Sequence, residues 1–328
     1  MVALEAFLSQ YVSEARGSLE KALKRLFLEL EGLSLYPQAV YALSGGKRLR
    51  SLLTLLAGEA VGGSREALIP LALSVELIHT ATLIHDDIID GDEERRGKPT
   101  LHVEWGSKAL LAGDLLFTKA ISLATLYPKE VVRVLSEAAM ETCDGEFLDV
   151  TMGFENSSEE EVLAKVRLKS AALFRAASQC GAMAGGGSPQ KVEALKRYGE
   201  NFGIAYQLSD DLEEAAEGFH KDLKAGRLTL PYLHLYQHGG SRLRSLLLKA
   251  FRGASLSREE VKVLSESLQA YGSLDYCRRR MASYVARAVE SLKPLGETRY
   301  RRLLEAFAYN YTGCSNETLQ VRRNPWKA

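Results

Sequence analysis

The chain has 328 residues, 46% of them apolar and 26% charged, with 42 basic against 42 acidic residues and no formal net charge. A chain of this size buries roughly three quarters of its unfolded surface, enough for one large core, and its neutral balance speaks against the basic stripe of a nucleic-acid partner. Cys143, Cys180, Cys277 and Cys314 are scattered without a CxxC pair, as in a reduced, cytoplasmic protein. Glu5 and Glu14 interrupt the N-terminal apolar residues and no uninterrupted apolar run approaches about 18, so neither a signal peptide nor an integral membrane segment is expected.

Apolar residues at i, i+3, i+4 and i+7 recur along the chain between short breaks at Gly45-Gly46, Gly62-Gly63, Gly185-Pro189 and Gly239-Gly240. That rhythm, without period-two strands, linkers or repeats, predicts a single all-α domain over residues 1–328. The first chemical feature is Ser44-Gly45-Gly46-Lys47-Arg48-Leu49-Arg50, where two glycines precede Lys47 and Arg50 one turn apart. It suits an anion near a helix N-terminus. The GxxxxGK[ST] spacing of a nucleotide triphosphatase loop is absent.

A helix is predicted from about Ser64 to Asp90, apolar nearly all round and therefore central. It ends in His85-Asp86-Asp87-Ile88-Ile89-Asp90, with Asp86 and Asp90 on one face. Acids there oppose the helix dipole and repel each other, so a bound cation explains the placement better than folding does. Carboxylates without Cys or paired His favour a hard ion such as Mg2+, usually held by one or two carboxylates plus substrate phosphates. A phosphorylated ligand is implied. The turn-rich Arg95-Arg96-Gly97-Lys98 loop follows, and guanidinium forks match phosphate oxygens.

Further on, Ser157 with Glu160 and Ser257 with Glu260 have capping-box spacing, and Ser188 precedes Pro189 as at a first helical turn. A second acidic segment, Ser209-Asp210-Asp211-Leu212-Glu213-Glu214, reads with the first as two parts of one metal site. The clusters Arg278-Arg279-Arg280 and Arg301-Arg302 read as solvated helix faces.

Taken in order, GGKRLR at 45–50, HDDIID with its trailing RR, AGDLLF at 112–117, GEFLD at 145–149, LKSAALF at 168–174, GIAYQLSDD at 203–211 and DLKAGRLTLP at 222–231 resemble the trans-type isoprenyl diphosphate synthase (polyprenyl synthetase) family. The resemblance implies an all-α bundle around a deep central cavity, usually a homodimer. It further implies Mg2+-dependent condensation of isopentenyl diphosphate with an allylic diphosphate. By this resemblance Asp86, Asp90 and Asp210 hold Mg2+, with Asp87, Asp211 and Glu214 in support. Arg95 and Lys169 grip the allylic diphosphate, and Lys221 and Arg227 join the substrate-binding set. Lys47, Arg50, His79 and Arg96 bind isopentenyl diphosphate. Ser170 and Gln207 aim oxygen dipoles at the developing carbocation, and Asp149 lies in the outer shell. Arg322 and Arg323 read as a solvated tail, with closure of the site as the alternative.

The chain departs from the family where the second motif ends in Glu213-Glu214 instead of DDxxD, and where the stretch before Asp222 is short and lacks a glycine-lysine that Lys221 replaces. Two other readings stay open: a weak or inactive subunit that regulates a partner synthase, and an HD-type metal phosphohydrolase using His79, His85 and Asp86. In the family, aromatics four or five residues before the first Asp limit product length; Thr82 and Ala81 stand there here. The next residues on that face are Leu77 and Ile78, the latter roughly 12 Å below Asp86 at about 1.5 Å per residue. Products of twenty carbons or more follow.

Overall fold

The computed structural model describes residues 2–218 and 220–314, so Arg322 and Arg323 lie outside the described residues. Helices dominate, as the periodicity predicts: α1 (Val2–Leu30), α2 (Tyr36–Ala42), α3 (Leu49–Glu59), α4 (Arg65–Asp90), α5 (Leu101–Trp105), α6 (Lys108–Ala124), α7 (Lys129–Thr151) and α8 (Glu159–Val166). After a π-helical stretch, Arg167–Ala171, come α9 (Ala172–Ala184), α10 (Pro189–Glu217), α11 (Lys221–Lys224), α12 (Leu230–His238), α13 (Ser241–Phe251), α14 (Arg258–Ala270), α15 (Ser273–Ser291) and α16 (Arg299–Thr312).

Two compact units divide these helices. One comprises residues 1–142, 173–199 and 291–307; the other comprises 143–172, 200–290 and the chain from 308 on. In the first, α4 packs against α1, α3 and α6. Leu71, Val75, Leu77 and Ala81 of α4 are wholly buried, and each fully covered Leu or Val contributes about 1.5–3 kcal/mol. The helix is long and apolar enough to cross a membrane, yet 72% of its most apolar window is buried inside the protein. In the second unit α12 packs against α8, α13 and α14, and Tyr232 of α12 is completely enclosed.

Local signals place the boundaries. Ser64 caps α4, accepting from the Ala67 amide, and Gly91 ends it at φ 68°. Pro70 interrupts this helix early, and a tyrosine repairs the break. The Tyr127 hydroxyl accepts from the Leu71 amide at 3.1 Å and donates to the Ala67 carbonyl at 2.5 Å, standing in for the backbone bond that a proline ring disturbs. Tyr127→Phe leaves both groups unpaired and is expected to cost about 1–3 kcal/mol. A urea midpoint lowered at constant slope would report it, and an unchanged midpoint would show that water replaces the hydroxyl.

Ser257 and Glu260 form the expected capping box, but the first box belongs to Ser158 and Glu161, one residue beyond the predicted pair. Both serines have the same spacing to a glutamate, and only the backbone turn decides between them. The basic loop after α4 is a minimal hairpin, β1 (Glu94–Arg95) antiparallel to β2 (Lys98–Pro99), turning through Arg96 at φ 58° and Gly97 at φ 73°. Two successive positive φ angles make the tight turn that matches strand twist. Arg96 is one of the described non-glycine residues held in that region, a backbone cost usually retained for function. None of the four cysteines is in a disulfide.

Candidate active site

The first unit carries the first acidic segment and the early basic residues. Asp86 and Asp90 are half-buried on the last turns of α4, where no basic residue offsets the helix dipole. Asp87 is different: it is 4% exposed and is gripped by Arg95, with Nε and Nη2 both at 2.5 Å from Oδ1. Burial raises the Asp87 pKa, and the Arg95 hydrogen bond and charge only partly oppose that. The hairpin thus brings Arg95 back against the acids, a placement that the nine-residue spacing suggests but cannot orient.

His79 lies two turns before Asp86 and is contacted at 3.1 Å by the Arg50 guanidinium, which also stacks over the Phe174 ring at 4.1 Å. Burial, with the charges of Arg50, Arg96, Arg95 and Arg48, holds the His79 pKa well below the ordinary histidine range. The ring is neutral among guanidinium groups, and no metal cation would choose that position. His85, on another face of α4, packs against Phe117 with ring centroids 5.9 Å apart and against Gly113. The two histidines of the phosphohydrolase reading therefore have separate surroundings.

The GGKRLR element is built around its least conspicuous member. Arg48 is buried, takes φ 57° at the N-cap of α3, and pairs with Glu76 at 2.9 Å and Glu20 at 3.2 Å. That anchorage leaves Lys47 exposed and turns Arg50 toward His79. Gly46 has φ 90°, and a Cβ there would lie 2.7 Å from Nη1 of Arg96, so only glycine lets the Arg96 guanidinium settle on the loop. A pocket of about 290 Å3 is lined by Gly45, Gly46, Thr80, Asp87, Arg95 and Arg96 among others. Polar anchors and cations on an apolar wall are what a diphosphate carrying a hydrocarbon requires.

The product-length positions on α4 are all buried: Ile78 at 3%, Ala81 at 0% and Thr82 at 8% exposure. Thr82 spends its hydroxyl on the His79 carbonyl at 2.8 Å. Ile78 borders a small apolar cavity of about 40 Å3 with Ser74, Phe117, Ile121 and Leu135. Phe117, on a neighbouring helix, was invisible to counting along α4 alone.

The second unit holds a buried ion network. Lys165, 5% exposed, donates to Asp149 Oδ1 at 2.6 Å and to the Leu228 carbonyl at 2.7 Å, while Lys169 meets Asp149 Oδ2 at 2.5 Å and Glu146 at 2.7 Å. Burial would raise the Asp149 carboxyl, but the two ammonium groups prevail and bring it to about 2. Burial likewise opposes the Lys169 charge, and Asp149 and Glu146 overcome it, raising its pKa. Lys169 and Ser170 sit in the π-helical stretch Arg167–Ala171, a local distortion frequent at functional sites. Gly145 of α7 admits it: a Cβ there would lie 2.2 Å from the Lys169 amide nitrogen. Lys165 escaped the sequence reading because a lone lysine in an acidic helix looks solvated.

Ser170 donates to Gln207 Oε1 at 2.7 Å and Gln207 Nε2 donates to Asp211 Oδ1 at 2.8 Å, joining the two polar residues to the second acidic segment. Asp211, 4% exposed, is pushed up to about 7, mainly by burial, with Lys165 and the Gln207 bond pulling the other way. Glu214 accepts from the Tyr232 hydroxyl at 3.0 Å and the Asp222 amide at 3.3 Å. Arg227 reaches Asp222 at 3.4 Å, and Lys221 is exposed. Among the described residues no three His, Cys, Asp or Glu side chains converge as a ready metal cage. The carboxylate donor set fits an ion that draws its remaining ligands from phosphate and water.

The Polyprenyl synthetase family model matches residues 34–268. A geranylgeranyl diphosphate synthase of Methanosarcina mazei is 37% identical over 278 residues, 80% of this chain and 83% of that protein. The octaprenyl diphosphate synthase of Escherichia coli is 34% identical over 275 residues, covering 81% and 85%. Among solved structures, a polyprenyl synthase from Caulobacter crescentus complexed with calcium and isoprenyl diphosphate superposes with a TM-score of 0.84 at 30% identity, covering 93% of this chain and 97% of that one.

Proposed function

The chain belongs to the polyprenyl synthetase family and is a prenyltransferase with the all-α isoprenoid synthase fold, and from that premise we propose that it condenses isopentenyl diphosphate head-to-tail (1'-4) with an allylic diphosphate. The product is a geranylgeranyl or longer polyprenyl diphosphate. The observation that carries this reading is the grouping of Arg50, Arg95 and Arg96 around a neutral His79, two turns before the first acid of α4. Anion grip and carboxylate cluster sit in one unit.

Asp86, Asp90 and Asp210 would hold Mg2+, with Asp87 and Asp211 behind them. Bound Mg2+ supplies positive charge that stabilises the departing diphosphate. Arg95 and Lys169 hold that anion, Lys47, Arg50, His79 and Arg96 hold isopentenyl diphosphate, and Lys221 and Arg227 complete the substrate set. Ionisation of the allylic C–O bond leaves a carbocation faced by the oxygens of Ser170 and Gln207, where preorganised dipoles act most strongly. The isopentenyl double bond attacks it, and the proton lost passes to the departing diphosphate. Apolar walls exclude water that would trap the cation as an alcohol.

The chain acts as one catalytic domain in the cytoplasm and pairs as a homodimer. Leu110, Leu111 and Ile121 of α6, exposed at 45%, 55% and 51%, offer a second copy an apolar surface.

The small residues Ala81 and Thr82 mark the path of the growing chain in this reading, and Ile78, which lines a cavity with Phe117, is the next barrier. Purified protein with Mg2+, isopentenyl diphosphate and ten-, fifteen- or twenty-carbon allylic diphosphates is expected to give products of twenty carbons or more. Ala81→Phe shortens them; an unchanged distribution places the floor elsewhere. No product from any starter, by folded protein, turns the reading to a subunit that needs a catalytic partner.

A further inference from the structure

Where a DDxxD motif would present its last acid, Glu214 has both carboxylate oxygens engaged, one by the Tyr232 hydroxyl and one by the Asp222 amide. Behind Tyr232 the contacts continue. His220 Nδ1 lies 2.8 Å from the Tyr232 hydroxyl and Nε2 lies 3.1 Å from Ser265 Oγ. His220 is completely buried and holds φ 52°, a conformation costly for any residue but glycine. Burial lowers its pKa, keeping the ring neutral. Tyr232 gives its single proton to Glu214 and Ser265 gives its own to the Val261 carbonyl at 3.1 Å, so the buried His220 ring is held between two hydroxyl oxygens. The result is one connected set of contacts running through Ser265, His220, Tyr232 and Glu214. It spans α14, the turn before α11, α12 and α10.

We infer that Glu214 and His220 form a clasp that fixes the start of α11, making Glu214 the anchor of the Lys221–Arg227 segment rather than a metal ligand. The inference rests on the prenyl-transfer reading only for what the segment serves, namely the grip of Lys221 and Arg227 on the allylic diphosphate. The extra methylene of Glu relative to Asp then has a purpose: it carries the carboxylate to Tyr232 and Asp222. His220 and Tyr232 are positioning residues that act through Glu214.

Amide hydrogen exchange across residues 221–227, measured without substrate, reads the clasp directly. Glu214→Gln keeps one of the two acceptor oxygens and is expected to speed exchange less than Glu214→Ala does. Glu214→Ala, Glu214→Asp and the conservative Tyr232→Phe are each expected to speed exchange about tenfold, the effect of one lost buried hydrogen bond. The same three raise KM for the allylic diphosphate about tenfold while kcat stays within about twofold. A metal-ligand role gives the opposite pattern. Glu214→Gln would then weaken Mg2+-dependent binding of inorganic diphosphate, Glu214→Asp would keep it, and exchange would not move in any variant; that pattern overturns the clasp. Parent-like exchange in both Glu214→Ala and Tyr232→Phe overturns it as well. Should the protein prove unable to transfer prenyl groups, the exchange result still decides the clasp.

Discussion

Asp86→Asn is expected to lower kcat/KM about a thousandfold, most of it in kcat, as when a key stabiliser of developing charge is removed. The expectation follows from where α4 ends. Asp86 and Asp90 lie one turn apart on a helix C-terminus that has no basic residue in its last turn, so a cation bound there would be favoured by both carboxylates and by the helix dipole. Asn preserves size and hydrogen bonding but removes the charge. Asp87→Asn acts by another route, because Asp87 is the anchor of Arg95. Its loss should appear chiefly in KM, as Arg95 leaves its station. Mg2+-dependent binding of inorganic diphosphate separates the two: Asp86→Asn weakens the metal dependence, whereas Asp87→Asn weakens diphosphate binding at saturating Mg2+. Equal kinetics for Asp86→Asn and the parent would remove Asp86 from the metal set.

Asp149→Asn is expected to be the most destabilising single change in the second unit, at about 3–5 kcal/mol, the range for removing one partner of a buried ion pair. Lys165, with a side chain 6% exposed, and Lys169 would lose their shared carboxylate charge and be left with one amide oxygen between them, beside the Leu228 carbonyl and Glu146. The double variant Asp149→Leu with Lys165→Met removes both buried charges together and should recover most of the loss, since apolar replacement of a buried pair is often near neutral. Chemical denaturation of the three proteins measures this. The same carboxyl sets an acid limit. Its folded pKa is depressed to about 2, below the unfolded value near 4, so its contribution is fully present above about pH 4 and is lost as pH falls toward 2. The Asn variant should lack that part of the acid dependence. A parent-like pH profile in the variant would show that Asp149 does not carry it.

Much of α4 could be read in advance, because an uninterrupted apolar periodicity between a serine cap and an acidic terminus leaves little choice of structure. Ser64 and Asp90 bound it as expected. The all-helical class followed from the same periodicity. What pattern could not supply was orientation. Arg95 returns to Asp87 only because Arg96 and Gly97 adopt positive φ, and Arg50 faces His79 only because buried Arg48 anchors the turn before it. Lys165, Tyr127 and His220 work through partners 16, 56 or 60, and 12 or 45 residues away, separations that local reading does not reach. Glu214 reads as a metal ligand because its neighbours in sequence are acids. Its neighbours in space are Tyr232 and the Asp222 amide.

The most direct measurement is consumption of labelled isopentenyl diphosphate by the purified chain alone, with an allylic diphosphate and Mg2+, before and after chelation by EDTA. The account expects one diphosphate released for each isopentenyl unit incorporated, abolition by EDTA and recovery on returning Mg2+. Folded protein that consumes none, with every allylic starter and Mg2+ present, would contradict it.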